Sequence, residues 1–189
     1  FLAACSQVPR GADLLSVGGT AELRGGQLPR DAESRFRQGL RAMEDGRLAE
    51  AGSVMEMLWQ DYPWLSGPAL NAALIHVRQG RPDEAEQWFL RAVQSNGDNV
   101  LARNAFAVFL RAQGRYLDAE AQYINALAIS SRDATTHYNL GILYDLYLGR
   151  KDLALQHFNH YQSMQPELDR QVAGWVADLE RQLAGGDDV

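Results

Sequence analysis

One short phrase governs what this chain can fold into. Gly-Arg, three residues, then Ala occurs at Gly46-Arg47…Ala51, Gly80-Arg81…Ala85, Gly114-Arg115…Ala119 and Gly149-Arg150…Ala154, with glycine spacings of 34, 34 and 35. Such recurrence marks a repeat whose units bury their apolar faces against one another. Other columns keep the same period. Four residues after each Ala stand Met55, Phe89, Tyr123 and Phe158; three further on stand Leu58, Ala92, Ala126 and Tyr161. Five beyond those come Pro63, Gly97, Ser131 and Pro166, and a column of small residues, Gly39, Ala73, Ala107 and Gly141, lies upstream.

Each column has a mechanical reading. Gly46, Gly80 and Gly114 suit helix ends that turn left-handed, a conformation cheap for glycine. Pro82 suits the first helical position, and Asp83 and Glu84 favour the positive helix start. The small residues let paired helices approach closely, and the large column is expected to fill the space between hairpins. The pattern predicts helices at about 32–45, 48–61, 66–79, 82–95, 100–113, 116–129, 134–148 and 151–164. The fourth repeat carries one extra residue near Asp145–Gly149, expected to be absorbed at the helix end. The first repeat is the least regular, with Gln38 and Ala42 at its pattern positions. After Pro166, Leu168, Val172, Trp175, Val176, Leu179 and Leu183 share one helical face, opposite Arg170, Asp178, Glu180 and Arg181, which predicts a capping helix.

These columns resemble the tetratricopeptide repeat (TPR) pattern of Leu-Gly, Tyr, Ala, Phe, Ala and Pro, most fully in Tyr138-Asn139-Leu140-Gly141-Ile142-Leu143-Tyr144. The resemblance covers roughly residues 32–166. It implies an all-α fold, a right-handed TPR superhelix of four helix-turn-helix repeats plus a C-terminal capping helix. In that family the first helix of each hairpin lines a concave protein-binding surface. Carried over by position, the surface here comprises Phe36, Leu40 and Met43; Leu70, Leu74, Val77 and Arg78; Asn104, Val108 and Arg111; Tyr138, Ile142 and Asp145. About half of these are expected to serve the core instead. The floor is largely aliphatic, unlike the Lys/Asn/Arg clamp that grips chaperone C-terminal carboxylates. The expected ligand is an apolar or amphipathic segment, its acidic residues meeting Arg78 or Arg111 and its backbone meeting Asn104.

The start of the chain, Phe1-Leu2-Ala3-Ala4-Cys5-Ser6, resembles a bacterial lipobox. That resemblance implies residues 1–5 as the end of a signal peptide and lipidation of Cys5, whose acyl chains would anchor the protein. Residues 6–30, rich in Gly and Pro, then read as a tether, 31–166 as repeats, 167–184 as the cap and 185–189 as a tail. Ser6, in place of the Asp associated with inner-membrane retention, points to the outer membrane, with the repeats in the periplasm.

Net charge is −6 with a pI near 5.2, which argues against nucleic acid as a partner. No apolar run reaches the ~20 residues of a membrane-spanning helix. The single cysteine offers neither an internal disulfide nor a cysteine metal site. His157 and His160 share a helix face, but no third ligand stands beside them in sequence, so a partly exposed pair is expected and no metal. His76 is expected half-buried and His137 near a helix start. No clustered acid–base set suggests catalysis, and no cofactor is implied. The resulting reading is a lipid-anchored TPR adaptor assisting assembly or localisation of an envelope complex, similar in layout to the pilotins and assembly factors of type IV and Flp (Tad) pili and of secretion systems. Alternatives are an accessory of a TonB/ExbB-type energised complex and a regulatory subunit of a peptidoglycan-acting enzyme.

Overall fold

A computed structural model describes residues 29–185; the lipobox, Cys5, nearly all of the tether and the tail lie outside the described residues. Among the described residues there are nine helices and no strands. They are α1 Arg30–Glu44, α2 Leu48–Asp61, α3 Ser66–Arg78, α4 Pro82–Ser95, α5 Val100–Ala112, α6 Tyr116–Ile129, α7 Ala134–Leu143, α8 Lys151–Ser163 and α9 Arg170–Ala184; a π-helical turn, Tyr144–Leu148, extends α7. No helix among them is long and apolar enough to cross a membrane.

The repeated Gly-Arg is a helix stop. Gly46, Gly80, Gly114 and Gly149 all adopt positive φ, between 65° and 77°. In the first three repeats the following arginine N–H returns to the carbonyl five residues back: Arg47 to Ala42 (2.8 Å), Arg81 to His76 (3.0 Å), Arg115 to Leu110 (2.9 Å). These bonds satisfy carbonyls that the helix end would leave bare. In the fourth repeat Arg150 reaches back six residues, to Tyr144 (2.9 Å). The extra residue of that repeat is therefore taken up by widening the last turn to π geometry, with the glycine turn retained.

The helices fall into two compact units, one ending at Phe106 and one beginning at Ala107, within α5. In the first unit α1 packs on α2, α2 on α3 and α3 on α4. Its core includes Phe36, Met43, Met55, Leu58, Leu70, Ile75 and Phe89. Phe89 stacks on Phe106, with ring centroids 5.4 Å apart. Trp59 meets Trp88 edge-on at 5.4 Å, and the Arg91 guanidinium lies over both rings. The Trp59 indole N–H donates to Ser95 Oγ (2.9 Å), which donates to the Pro63 carbonyl (2.6 Å), fastening α2 to α4.

In the second unit α6 packs on α7, α7 on α8 and α8 on α9. Tyr123, Leu140, Leu143, Phe158, Val172 and Leu179 are fully buried or nearly so. A Cβ at Gly141 would stand 2.5 Å from Phe158 Cε1, so this close approach requires glycine. Gly39 faces Met55 in the same way, at 2.6 Å from its Cε. The large column was expected between hairpins, where Phe89 meets Phe106; Met55 and Phe158 also fill space inside their own hairpins. α9 starts later than its apolar pattern suggested. Asp169 caps it, accepting from the N–H groups of Gln171 (3.0 Å) and Val172 (3.2 Å). Leu168 therefore precedes the helix and is 66% exposed, outside the face it was expected to share.

Candidate protein-binding surface and histidine cluster

The first helix of each hairpin supplies the candidate binding residues, and the two units divide them. In the first unit Phe36, Met43, Leu70 and Asn104 are buried, Leu40 and Leu74 are half-buried, and Val77 and Arg78 are exposed. Asn104 is 4% exposed, with its Oδ1 enclosed. His76 is 4% exposed and not half-buried as expected. Its Nε2 lies 2.9 Å from Glu56 Oε1, so the ring N–H donates to that carboxylate, and the ring stacks on Trp88.

In the second unit Val108 is buried, while Arg111, Tyr138, Ile142 and Asp145 are half-exposed. Arg111 is unusual. Its Nη1 is enclosed with no acceptor, and no carboxylate among the described residues pairs with it. Its guanidinium lies 5.8 Å from the Tyr147 ring centroid, and Tyr147 in turn packs on Tyr116 at 4.9 Å. Beneath is Tyr123, wholly buried with an unpartnered hydroxyl. Burial raises its pKa, with the Arg111 charge opposing. Tyr138 is raised by burial, and its ring packs among those of Tyr161 (5.1 Å) and Trp175 (6.1 Å). Asp145, on the π turn, has its pKa raised by burial against the pull of Lys151. This surface therefore offers aromatic faces, a half-buried aliphatic side chain and one cation lacking its counter-charge. An acceptor meeting the exposed edge of the half-exposed Arg111 guanidinium would gain a charge-assisted hydrogen bond.

Two groupings escaped sequence reasoning. One is a shallow pocket of about 370 Å³ on the first hairpin, lined by Ser34, Arg37, Gln38, Arg41, Arg47 and Glu50. Its arginines are partly neutralised, since Arg37 pairs with Glu33 and Arg47 with Glu50 and Asp45. The other is a third histidine beside the expected pair. His137 Nδ1 lies 2.9 Å from His157 Nδ1, and its ring centroid is 5.0 Å from those of both His157 and His160. The signal was in the hairpin register. Gly141 opposite Phe158 puts residue 137, one turn earlier, across from the turn that carries 157 and 160. Among the described residues no group of three or more His, Cys, Asp or Glu is arranged to hold a metal ion.

Two tetratricopeptide-repeat family models match the chain, over residues 42–107 and 98–167. No curated protein is significantly similar. Solved structures share the fold at low identity. The structure of Pseudomonas aeruginosa pilF is 19% identical with a TM-score of 0.70, covering 82% of this chain and 69% of its own. MamA is 16% identical with a TM-score of 0.65, covering 81% and 88%. YrrB, described as a TPR protein with an unusual peptide-binding site, is 22% identical with a TM-score of 0.61, covering 75% and 72%. Four glycine-stopped hairpins, the small-against-large contacts inside them and both family matches agree: the chain belongs to the tetratricopeptide-repeat proteins, a family of protein–protein interaction scaffolds.

Proposed function

We propose that this scaffold is a lipid-anchored adaptor that holds a partner protein at a bacterial envelope surface during assembly or localisation of a complex such as a pilus or secretion machine. The observation that carries the binding role is Arg111. A half-exposed guanidinium, flanked by Tyr147 and half-exposed Tyr138 and Ile142, suits an amphipathic segment with an acidic residue. The fold shared with YrrB is consistent with peptide capture. The envelope setting rests on Leu2-Ala3-Ala4-Cys5 and its likeness to a lipobox.

Affinity capture from bacterial envelope extracts, read by mass spectrometry, tests the adaptor. Arg111→Ala should lose the partner while retaining its helical circular-dichroism spectrum; undiminished recovery would remove Arg111 from the site. Lipidation is tested with the protein expressed from its native gene. Cys5→Ala should shift it from the membrane to the soluble fraction and abolish incorporation of a fatty-acid label. Release of the wild-type protein without detergent would refute the anchor.

A further inference from the structure

The three histidines of the second unit are joined across the α7–α8 hairpin in a way that fixes each proton. His137 Nε2 lies 3.1 Å from the Ser131 carbonyl, which only accepts, so Nε2 carries the proton and Nδ1 a lone pair. His157 Nδ1–H then donates into that lone pair at 2.9 Å. His160 Nδ1–H donates to the Gln156 carbonyl at 2.8 Å. With neutral rings every one of these contacts is a made hydrogen bond. A proton added at His137 Nδ1 would force His157 to move its own proton from Nδ1 to Nε2. Protonating His157 would leave its Nδ1–H bond intact but place a cation between two other imidazoles.

Among the described residues, the carboxylates of the neighbouring elements are engaged elsewhere. Tyr144, on the π turn, packs its ring on His157 at 5.4 Å, and its hydroxyl donates to Glu120 of α6 (2.8 Å). That carboxylate is already held by Arg150, at the head of α8 (2.7 Å). Asp133, before α7, accepts from the Thr136 N–H and hydroxyl (2.8 and 2.6 Å). From α9, Asp169 accepts from Tyr161, and Asp178 pairs with Arg181. The charges acting on His157 are the other two histidines, and they oppose its protonation.

We infer that the His137–His157–His160 cluster is an acid-labile joint between α7 and α8, closed when neutral and loosened when the surroundings become mildly acidic. The sign follows from linkage. Burial, then the neighbouring imidazoles, push His157 down to about 4, from an ordinary value of 6.5. The unfolded or opened hairpin therefore takes up a proton that the closed one refuses. The closed state is fully favoured above about pH 6.5 and loses ground as pH falls toward 4. His157 is only partly buried, so the effect is discounted to roughly tenfold in the opening equilibrium by pH 5. Tyr138 and Ile142 ride on α7, so loosening this joint would also disturb the candidate binding surface.

The test is an NMR titration of the wild-type protein from pH 8 to 4, following imidazole carbons and, in parallel, amide exchange corrected for its intrinsic pH dependence. One cluster imidazole should stay neutral well below pH 6, and α7–α8 amides should lose roughly tenfold protection by pH 5 while α3 amides do not. Three imidazoles titrating independently near 6.5, or α7–α8 protection that does not change with pH, would overturn the inference. His157→Gln should flatten the pH dependence. If that variant does not fold, the wild-type titration alone decides.

Discussion

Two glycines that occupy equivalent columns are held by different neighbours, and single methyl groups should separate them. At Gly141 an added Cβ meets three Phe158 ring atoms at 2.5–2.9 Å, and that ring is 1% exposed with nowhere to move. Helix propensity would favour Ala by about 1 kcal/mol, but overpacking costs about 1–3 kcal/mol, and against a rigid ring the upper part of that range applies. Gly141→Ala should therefore destabilise by about 1–2 kcal/mol net in chemical denaturation. At Gly39 the obstruction is the flexible end of Met55, which can swing aside, so Gly39→Ala should be close to neutral. Gly174, exposed inside α9 with nothing near its Cβ, should gain about 0.5–1 kcal/mol on change to Ala. A Gly141→Ala protein as stable as Gly174→Ala would contradict the close helix approach assigned to the small column.

At the scale of the element, Asp169 joins a helix cap to a tyrosine. It accepts from two N–H groups at the start of α9 and from the Tyr161 hydroxyl at 3.1 Å. Burial first, then this carboxylate, push Tyr161 up to about 12. Asp169→Asn keeps a competent cap, so α9 should lose only a few tenths of a kcal/mol. The charge is gone, however, and Tyr161 should ionise at lower pH, without reaching 10 because burial persists; carbon-13 tyrosine NMR would register the change, and an unmoved Tyr161 would show that Asp169 does not act on it. The element ends also show what the sequence could reveal. Helix stops were legible because Gly with positive φ and the returning Arg N–H are local devices written in adjacent residues. The Leu168 assignment failed because apolar periodicity does not see a cap at the very next residue, Asp169. The thirty-fifth residue of the last repeat was visible as an excess, but only hydrogen bonding reveals that a π turn absorbs it. The binding list was legible as a helix face and less so as a surface: whether Asn104 is covered or Arg111 is left without a counter-charge depends on residues far away in sequence.

Across the whole molecule, stability should be graded, because a repeat chain is held by neighbouring contacts and opens piecewise. α3 is the most deeply covered element described: ten of its thirteen residues are buried, Ser66 through Ala73 without interruption and then Ile75 and His76. It packs on both α2 and α4, and Asn99 Nδ2 donates to Ser66 Oγ at 2.7 Å. α1 buries five of fifteen residues and α9 two of fifteen, Val172 and Leu179. Opening α9 exposes little apolar surface beyond those two and the faces of Trp175 and Phe158, whose centroids lie 5.3 Å apart. Opening α3 uncovers Leu70, Ile75 and a row of alanines together with the faces they cover on α2 and α4. At neutral pH, amides in the middle of α3 should exchange slowest, and those of α9 at least about 100-fold faster, with α1 between them. Mass-spectrometric exchange on intact protein resolves these helices as separate peptides. Equal protection in α3 and α9 would mean that α9 is as firmly held as α3 and that the chain opens as one cooperative body. The expected gradient instead makes α9 the first element to yield, baring the Tyr138–Phe158–Trp175 aromatic contacts while the α3–α4 hairpin stays folded.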